Sequence, residues 1–296
     1  MELKWLEDFL ALAETNSFSK AAEERNITQS AFSRRIKQLE IWLGSSLIDR
    51  ATYPSRLTAA GEKFVPVARE AVRSLTQARR SLREQEGAEA QTITVTALHT
   101  LSFTYFPGWL RTVSDRVGPL LSRIKPDLGS MEENVSSLVD GDCDFLLTYA
   151  HPAVSLVLDP ELFEYRILDQ ETIIPISAPS SDGKPLHDPD RDCPASYVGY
   201  EKGSFFGLLF GEVLSERLAA HKRAHTGSMS VGLKGMALAG WGVAWVPESL
   251  VRAELDKGTL VRTGDASWDI RVDIRLYRSR QNRRPIVNRA WASAGG

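Results

Sequence analysis

The stretch FSKAAEERNITQSAFSRRIKQLE, residues 18–40, restricts the fold of this chain more than any other. Ala21, Ala22, Ile27, Ala31, Ile36 and Leu39 recur at spacings that bury one face of two short helices joined by a tight turn. Gln29, Ser30, Ser33, Arg34 and Arg35 then point outward from the first turns of the second helix. A solvated helix face more often mixes Glu with Lys. Arg with Gln and Ser is instead the set that reaches base edges and phosphates in a major groove. For Arg35 and Lys37 a merely solvated face is an equal alternative, and Ser33 also suits a crowded helix contact.

The neighbouring segments extend this unit. Leu3 to Glu14 carries a helical apolar stripe, broken at Asn16 and Ser17. Ser19 is the expected N-cap of the next helix and Asn26 its end. Thr28 is the expected N-cap of the third, which runs to about Leu43 before Gly44. SSLIDRATYPSRLT then reads as a short hairpin with Arg50 and Arg56 on its flanks. Such a wing can lie along a DNA backbone or minor groove. Thr58 opens a long helix in which Phe64, Ala68, Ala71, Leu75, Ala78 and Leu82 are spaced as a coiled-coil seam, with a kink expected at Pro66. Between Arg34 and Arg83 eleven Lys or Arg face four acids, a local +7 in a chain whose net charge is −2. A local basic patch is the electrostatic footprint of a nucleic-acid module.

From Thr92 the pattern changes. ITVTAL, PLLSRI and CDFLLTY read as strands, alternating with helices over LSFTYFPGWLRTV and Met131–Val139. A second such region follows: TIIPISAP, a helix around Phe205–Ala220, MSVGLKGMALAG, and WGVAWVP. WDIRVDIRLY returns late as a strand. The expected fold class is therefore α+β followed by α/β. The helix-turn-helix unit spans 1–58, the linker helix 59–90, and a two-lobed α/β domain 91–296. Lobe I takes about 91–164 and 266–296, and lobe II about 165–265, with a cleft between them.

Other classes are disfavoured. Apolar content of 43% and charged content of 25% are ordinary for a globular protein. No apolar run is long enough to span a membrane, and MELKWLEDFLALAE carries acids through its apolar stretch, unlike a signal peptide. Cys143 and Cys193 match neither a disulfide framework nor a zinc spacing, so a cytoplasmic protein without metal or cofactor is expected. No Ser-His-Asp order, paired-carboxylate motif, HExxH or phosphate-cradling glycine loop points to an enzyme.

LEDFLALAETNSFSKAAEERNITQSAFSRRIKQLE, LGSSLIDR and LTAAGEKF resemble the winged helix-turn-helix of LysR-type transcriptional regulators. The rest resembles that family's periplasmic-binding-protein-like effector domain, including GWGVAWVPESL. Ile48 departs from the family's usual Phe. The resemblance implies a homodimer through the linker helix and a homotetramer through the effector domains. It also implies double-stranded DNA as partner, read as an imperfect palindrome, and brings in RNA polymerase. Carried over, Thr28, Gln29, Ser30, Ser33 and Arg34 approach bases or phosphates, and Arg50 and Arg56 hold the backbone at the wing.

ALHTLSFTYFP, residues 97–107, is the most informative stretch of the second half. A helix starting near Thr100 offers free N–H groups to an anion or carbonyl oxygen. The segment is similar to the effector loop of sulfate-sensing members, which implies His99, Thr100, Leu101 and Ser102 as effector contacts. Thr148 and Tyr149 are expected at the hinge and Ser204 at a facing helix start. Thr100 and Ser204 read equally well as plain N-caps. The effector is then a small anion or carboxylate. AxH[ST]LS and GSMS…GxGxAWxPE also resemble the hypochlorite-responsive, HypT-like branch, in which methionine oxidation is the signal. Met229 is the redox candidate there, against a reading of Met229, Met131 and Met236 as core gap fillers. A constitutive DNA binder with a vestigial cleft is a third alternative.

Overall fold

The computed structural model describes residues 2–25, 27–49, 55–83, 91–156 and 158–295. The chain divides into two compact units, Met1–Gln85 and Glu86–Gly296.

In the first unit α1 (Leu3–Thr15), α2 (Phe18–Glu24) and α3 (Gln29–Leu43) precede a small hairpin, β1 (Ile48–Asp49) with β2 (Arg56–Leu57), and the long α4 (Ala59–Arg83). Phe9, Phe32, Ile36 and Leu39 are fully buried in its core. Ser17, not Ser19, caps α2, accepting from the Lys20 N–H at 3.4 Å. Ser17 is the residue still in extended conformation, while Ser19 already lies inside the helix. The helix ends at Glu24; Asn26 lies outside the described residues. Thr28 caps α3 through the Ala31 N–H at 3.3 Å, and Gly44 closes it at φ 68°. Thr58 opens α4, accepting from the Gly61 N–H at 3.0 Å. A Cβ on Gly61 would lie 2.2 Å from the Leu47 carbonyl oxygen, so only glycine lets α4 start this close to the wing. Ile48 is 5% exposed and packs beneath the wing.

The seam expected on α4 is divided. Phe64 meets Phe9 at 5.5 Å between ring centroids, and Ala68 and Ala71 pack into the unit's own core. Leu75, at 51% exposure, and Ala78 face outward. The first half of the helix is thus largely a core element, because α1 offers it an apolar face, while the second half leaves Leu75 exposed. The Leu82 side chain lies outside the described residues.

The second unit runs β3 (Thr92–Ala97), α5 (His99–Thr104), α6 (Phe106–Val117), β4 (Leu121–Lys125), α7 (Met131–Val139), β5 (Phe145–Ala150) and β6 (Phe163–Ser177). It continues with β7 (Ser196–Tyr200), α8 (Phe205–Val213), α9 (Ser215–Leu218), β8 (Lys222–Gly227), α10 (Ser230–Leu238), β9 (Val243–Pro247) and α11 (Glu248–Asp256). β10 (Val261–Arg262), β11 (Ile270–Ser279) and α12 (Pro285–Ser293) complete it. One nine-stranded sheet is ordered β4-β3-β5-β11-β6-β9-β7-β8, with β10 on β6. Pairing is parallel within each half (β3 with β4 and β5, β7 with β8 and β9). The long β6 and β11 run antiparallel to each other and join the halves. The single helix expected over LSFTYFPGWLRTV is broken at Tyr105, because Pro107 cannot donate inside a helix and falls instead in the first turn of α6. β7, β8 and α11 were not among the expected elements.

Candidate nucleic-acid interface and effector cleft

On α3, Phe32, Ile36 and Leu39 face the core. The same helical period leaves Thr28, Gln29, Ser30 and Arg34 exposed, with Ser33 half-buried between the two faces. The Ser19 hydroxyl lies 3.3 Å from Gln29 Oε1, so α2 steadies that amide. Arg56 is exposed on β2, and Arg50 lies outside the described residues. The Glu40 carboxylate takes the N–H groups of Leu47 and Ile48 at 2.9 and 3.2 Å, tying the wing to the recognition helix. Arg35 makes a contact that neither expectation contained. It donates to Asp8 at 3.2 Å, and Arg25 donates to the same carboxylate at 2.9 Å. Asp8 is fully buried, and a buried carboxylate requires such partners. The signal was an acid placed on the apolar side of α1, beside Phe9.

In the second unit a cleft of about 420 Å³ opens where the ends of β3 and β4 meet the start of α10. It brings together three of the sequence candidates, His99, Ser102 and Met229, and adds Lys125, Asp127 and Ser228. The added residues follow the C-terminal end of a parallel strand, the usual position for ligands in such sheets. Asp127 shapes the site. Its carboxylate accepts from the His99 N–H at 3.1 Å, the Gly129 N–H at 3.0 Å and Asn134 Nδ2 at 2.7 Å. The free N–H at the start of α5, which sequence reasoning offered to an anion, is therefore held by the protein's own carboxylate. The His99 ring lies edge-on to Phe103 at 5.4 Å, and its buried Nδ1 has no partner among the described residues. The Ser102 hydroxyl donates to the His99 carbonyl at 2.6 Å. Lys125 is 3.5 Å from Asp142.

The other candidates stand apart from this opening. Thr100 is 4% exposed, and Leu101 and Thr148 are fully buried. Neither Thr100 nor Leu101 presents its side chain to the cleft, because the turn of α5 that exposes His99 and Ser102 sends the two residues between them inward. Thr148 donates to the Tyr149 carbonyl at 3.1 Å. Tyr149 packs on Phe206 at 5.2 Å, and burial first, then the nearby Glu171, drives its phenol well above the ordinary range. Ser204 caps α8, accepting from Gly207 N–H at 3.1 Å and donating to the Glu201 carbonyl at 2.8 Å, and it does not line the cleft. The Met131 N–H at the start of α7 reaches the Gly203 carbonyl before α8 at 3.2 Å. Met229 is no gap filler: it is 44% exposed, whereas Met131 is 5% exposed. Burial raises the Cys143 thiol, and Cys193 is exposed and unpaired with it. Among the described residues there is no metal-binding cluster, and no helix is long and apolar enough to cross a membrane.

Comparison with known proteins covers both units. Residues 3–62 match the bacterial regulatory helix-turn-helix protein, lysR family, and residues 86–294 match the LysR substrate binding domain. The chain is 29% identical over 292 residues to the HTH-type transcriptional regulator YjiE of Escherichia coli (strain K12), covering 98% of this chain and 93% of that one. It is similar to the crystal structure of VV2_1132, a LysR family transcriptional regulator, at 32% identity and a TM-score of 0.61, covering 99% and 98% of the two chains. It is also similar to full-length HypT from Salmonella typhimurium, a hypochlorite-specific LysR-type transcriptional regulator, at 26% identity and a TM-score of 0.60, covering 99% and 96%. With a helix-turn-helix in the first unit, an effector-binding domain in the second and both matched over nearly their full length, the chain belongs to the LysR-type transcriptional regulators and is a DNA-binding regulator, not an enzyme.

Proposed function

We propose that this cytoplasmic regulator takes a small neutral or cationic effector, rich in N–H or O–H donors, into the cleft beside His99, Ser102, Asp127 and Met229. The observation that carries this is the Asp127 carboxylate on the His99 N–H. An anion entering there would meet a fixed negative charge in place of a free helix end. Lys125 does not reverse this, since Asp142 already offsets it. The Ser102 hydroxyl, which donates to the His99 carbonyl, keeps its oxygen lone pairs as acceptors. DNA is contacted by Thr28, Gln29, Ser30, Ser33 and Arg34 from α3 and by Arg50 and Arg56 from the wing. Two such helices, brought together by the exposed half of α4, read an imperfect palindrome, and effector domains pair the dimers into a tetramer.

The test is calorimetric titration of the full chain with sulfate, small carboxylates, polyols and amines. Donor-rich neutral or cationic compounds should bind, and Asp127→Asn should weaken them about tenfold while admitting anions. Tight carboxylate or sulfate binding by the unaltered protein would refute the reading. Oxidant sensing is a second reading, favoured by one observation: Met229 places its thioether in the cleft at 44% exposure. There a sulfoxide would add a polar acceptor among the cleft residues. Hypochlorite treatment followed by peptide mass spectrometry and DNA titration decides it, and Met229→Leu should abolish any oxidant effect on DNA affinity.

A further inference from the structure

Residues 151–162 connect β5 to β6 outside any helix or strand of the sheet. Between this connection and the strands β6 and β11 lies an opening of about 500 Å³. Small-molecule sites typically fall between about 300 and 1,000 Å³. It shares no lining residue with the cleft beside His99. Its wall on the side of the connection follows a period of two. Ala150, Pro152, Val154, Leu156, Leu158 and Pro160 are all apolar, and all line it. Alternate residues of an extended chain share a face, so this segment presents one continuous apolar side. The floor is aromatic. Tyr165 and Tyr277 are register partners on β6 and β11, with ring centroids 5.3 Å apart. Tyr165 stays 50% exposed, a large ring left open beside an apolar wall.

The charges along this groove are unevenly placed. Arg275 stands 4.5 Å over the Tyr165 ring, and its Nε and Nη2 both donate to Asp273 Oδ2, at 3.1 and 2.7 Å, so its charge is offset. The Arg280 end is different. Arg280 Nε donates to the Pro160 carbonyl at 3.1 Å and Nη1 to Glu164 at 3.2 Å. Glu164 also accepts from Arg278 Nε at 2.8 Å. One carboxylate between two guanidinium groups leaves this end with excess positive charge. Arg280 Nη2 has no partner among the described residues. From Arg275 to Arg280 the strand direction covers about 17 Å. The far end, at Ala150, is the register partner of Asp273, an acid. The groove is therefore long, apolar along one side and positive at one end only. A flat ring has no use for that length. An alkyl chain ending in a single carboxylate matches both the length and the charge.

We propose that this groove is a second small-molecule site, taking a medium-chain alkyl monocarboxylate. The carboxylate meets Arg280, and the chain lies along Leu158, Leu156 and Val154 over the Tyr165 ring. The site is separate from the cleft, so its occupancy adds a second input to the same regulator.

The experiment is calorimetric titration of the full-length protein with hexanoate, octanoate and decanoate below micelle-forming concentrations, with 1-octanol as the uncharged control. Binding should tighten about tenfold for each two added methylenes. Octanoate should bind at least tenfold more tightly than octanol. Arg280→Gln should remove that preference and leave octanol binding in place, and Arg280→Lys should keep most of it. Tyr165→Glu, at a half-exposed position, should weaken acid and alcohol at least tenfold with the melting temperature maintained. Acetate, which lacks the chain, should not bind here, so titration of the cleft with small carboxylates is undisturbed. Met229→Trp, which obstructs the cleft instead, should leave decanoate binding unchanged, so failure here and failure of the cleft assignment are read separately. Equal binding of octanoate and octanol, no gain with chain length, or decanoate binding that survives Tyr165→Glu would overturn the proposal. So would an absence of decanoate binding accompanied by a changed sedimentation coefficient in Tyr165→Glu, which would show the groove covered by a second copy of the chain.

Discussion

Neighbouring arginines of one helix have opposite fates. Arg34 is exposed beside Gln29 and Ser30, while Arg35 turns back onto buried Asp8. Arg34→Ala should weaken specific DNA binding by about 1–3 kcal/mol, roughly five- to a hundred-and-fiftyfold, with no change in melting temperature. Arg35→Ala should do the reverse in origin: it strips a charged partner from a buried carboxylate and lowers the stability of the first unit by about 1–3 kcal/mol. Fluorescence anisotropy on operator DNA beside thermal denaturation separates the two. Equal losses of DNA binding at unchanged stability would place Arg35 at the interface after all. Both residues were visible as candidates, but a helical period of 3.6 resolves directions only to a face, and one face edge carries both.

At the scale of elements, α4 serves two purposes along its length. Its first half closes the core through Phe64 and Ala68, and its second half presents Leu75 at 51% exposure. Leu75→Glu should therefore dissociate the dimer without unfolding the unit, read by sedimentation velocity; a dimer that persists would move the interface off α4. The heptad spacing was legible, but spacing alone does not say whether an apolar stripe meets its own chain or another. The same limit applied at the cleft. The strand-to-helix passage at 97–107 was found from pattern, whereas Asp127 came from a loop about thirty residues later that no local rule connects to His99.

Across the whole molecule, β6 and β11 couple the halves of one sheet, and a half-buried acid sits on that connection. Glu171 on β6 accepts a hydrogen bond from the Ser249 hydroxyl of α11. Burial raises its pKa, only partly offset by Ser249. A carboxyl raised on folding favours the native state when protonated, so its contribution is present in acid and is lost as pH rises through the folded value. Glu171→Gln should thus raise the melting temperature at pH 7 and change it little at pH 4. An equal effect at both pH values would show that ionisation at this position is not the cause.

Periodicity, capping residues and the Gln-Ser-Arg set on one helix were enough to determine the helix-turn-helix, its exposed polar face and the alternating α/β second unit, because each depends on residues within a few turns of one another, and the resemblance of its motifs pointed to the family. Only the tertiary structure decided that Arg35 reaches Asp8, that Thr100 and Leu101 turn inward, that Ser204 caps α8, and that Asp127 accepts from the first N–H of α5. These are contacts between distant segments, set by which buried charges and unpaired backbone groups the fold brings within hydrogen-bond reach. A carboxylate placed 3.1 Å from a free N–H by a neighbouring parallel strand leaves no trace in the local pattern of either segment.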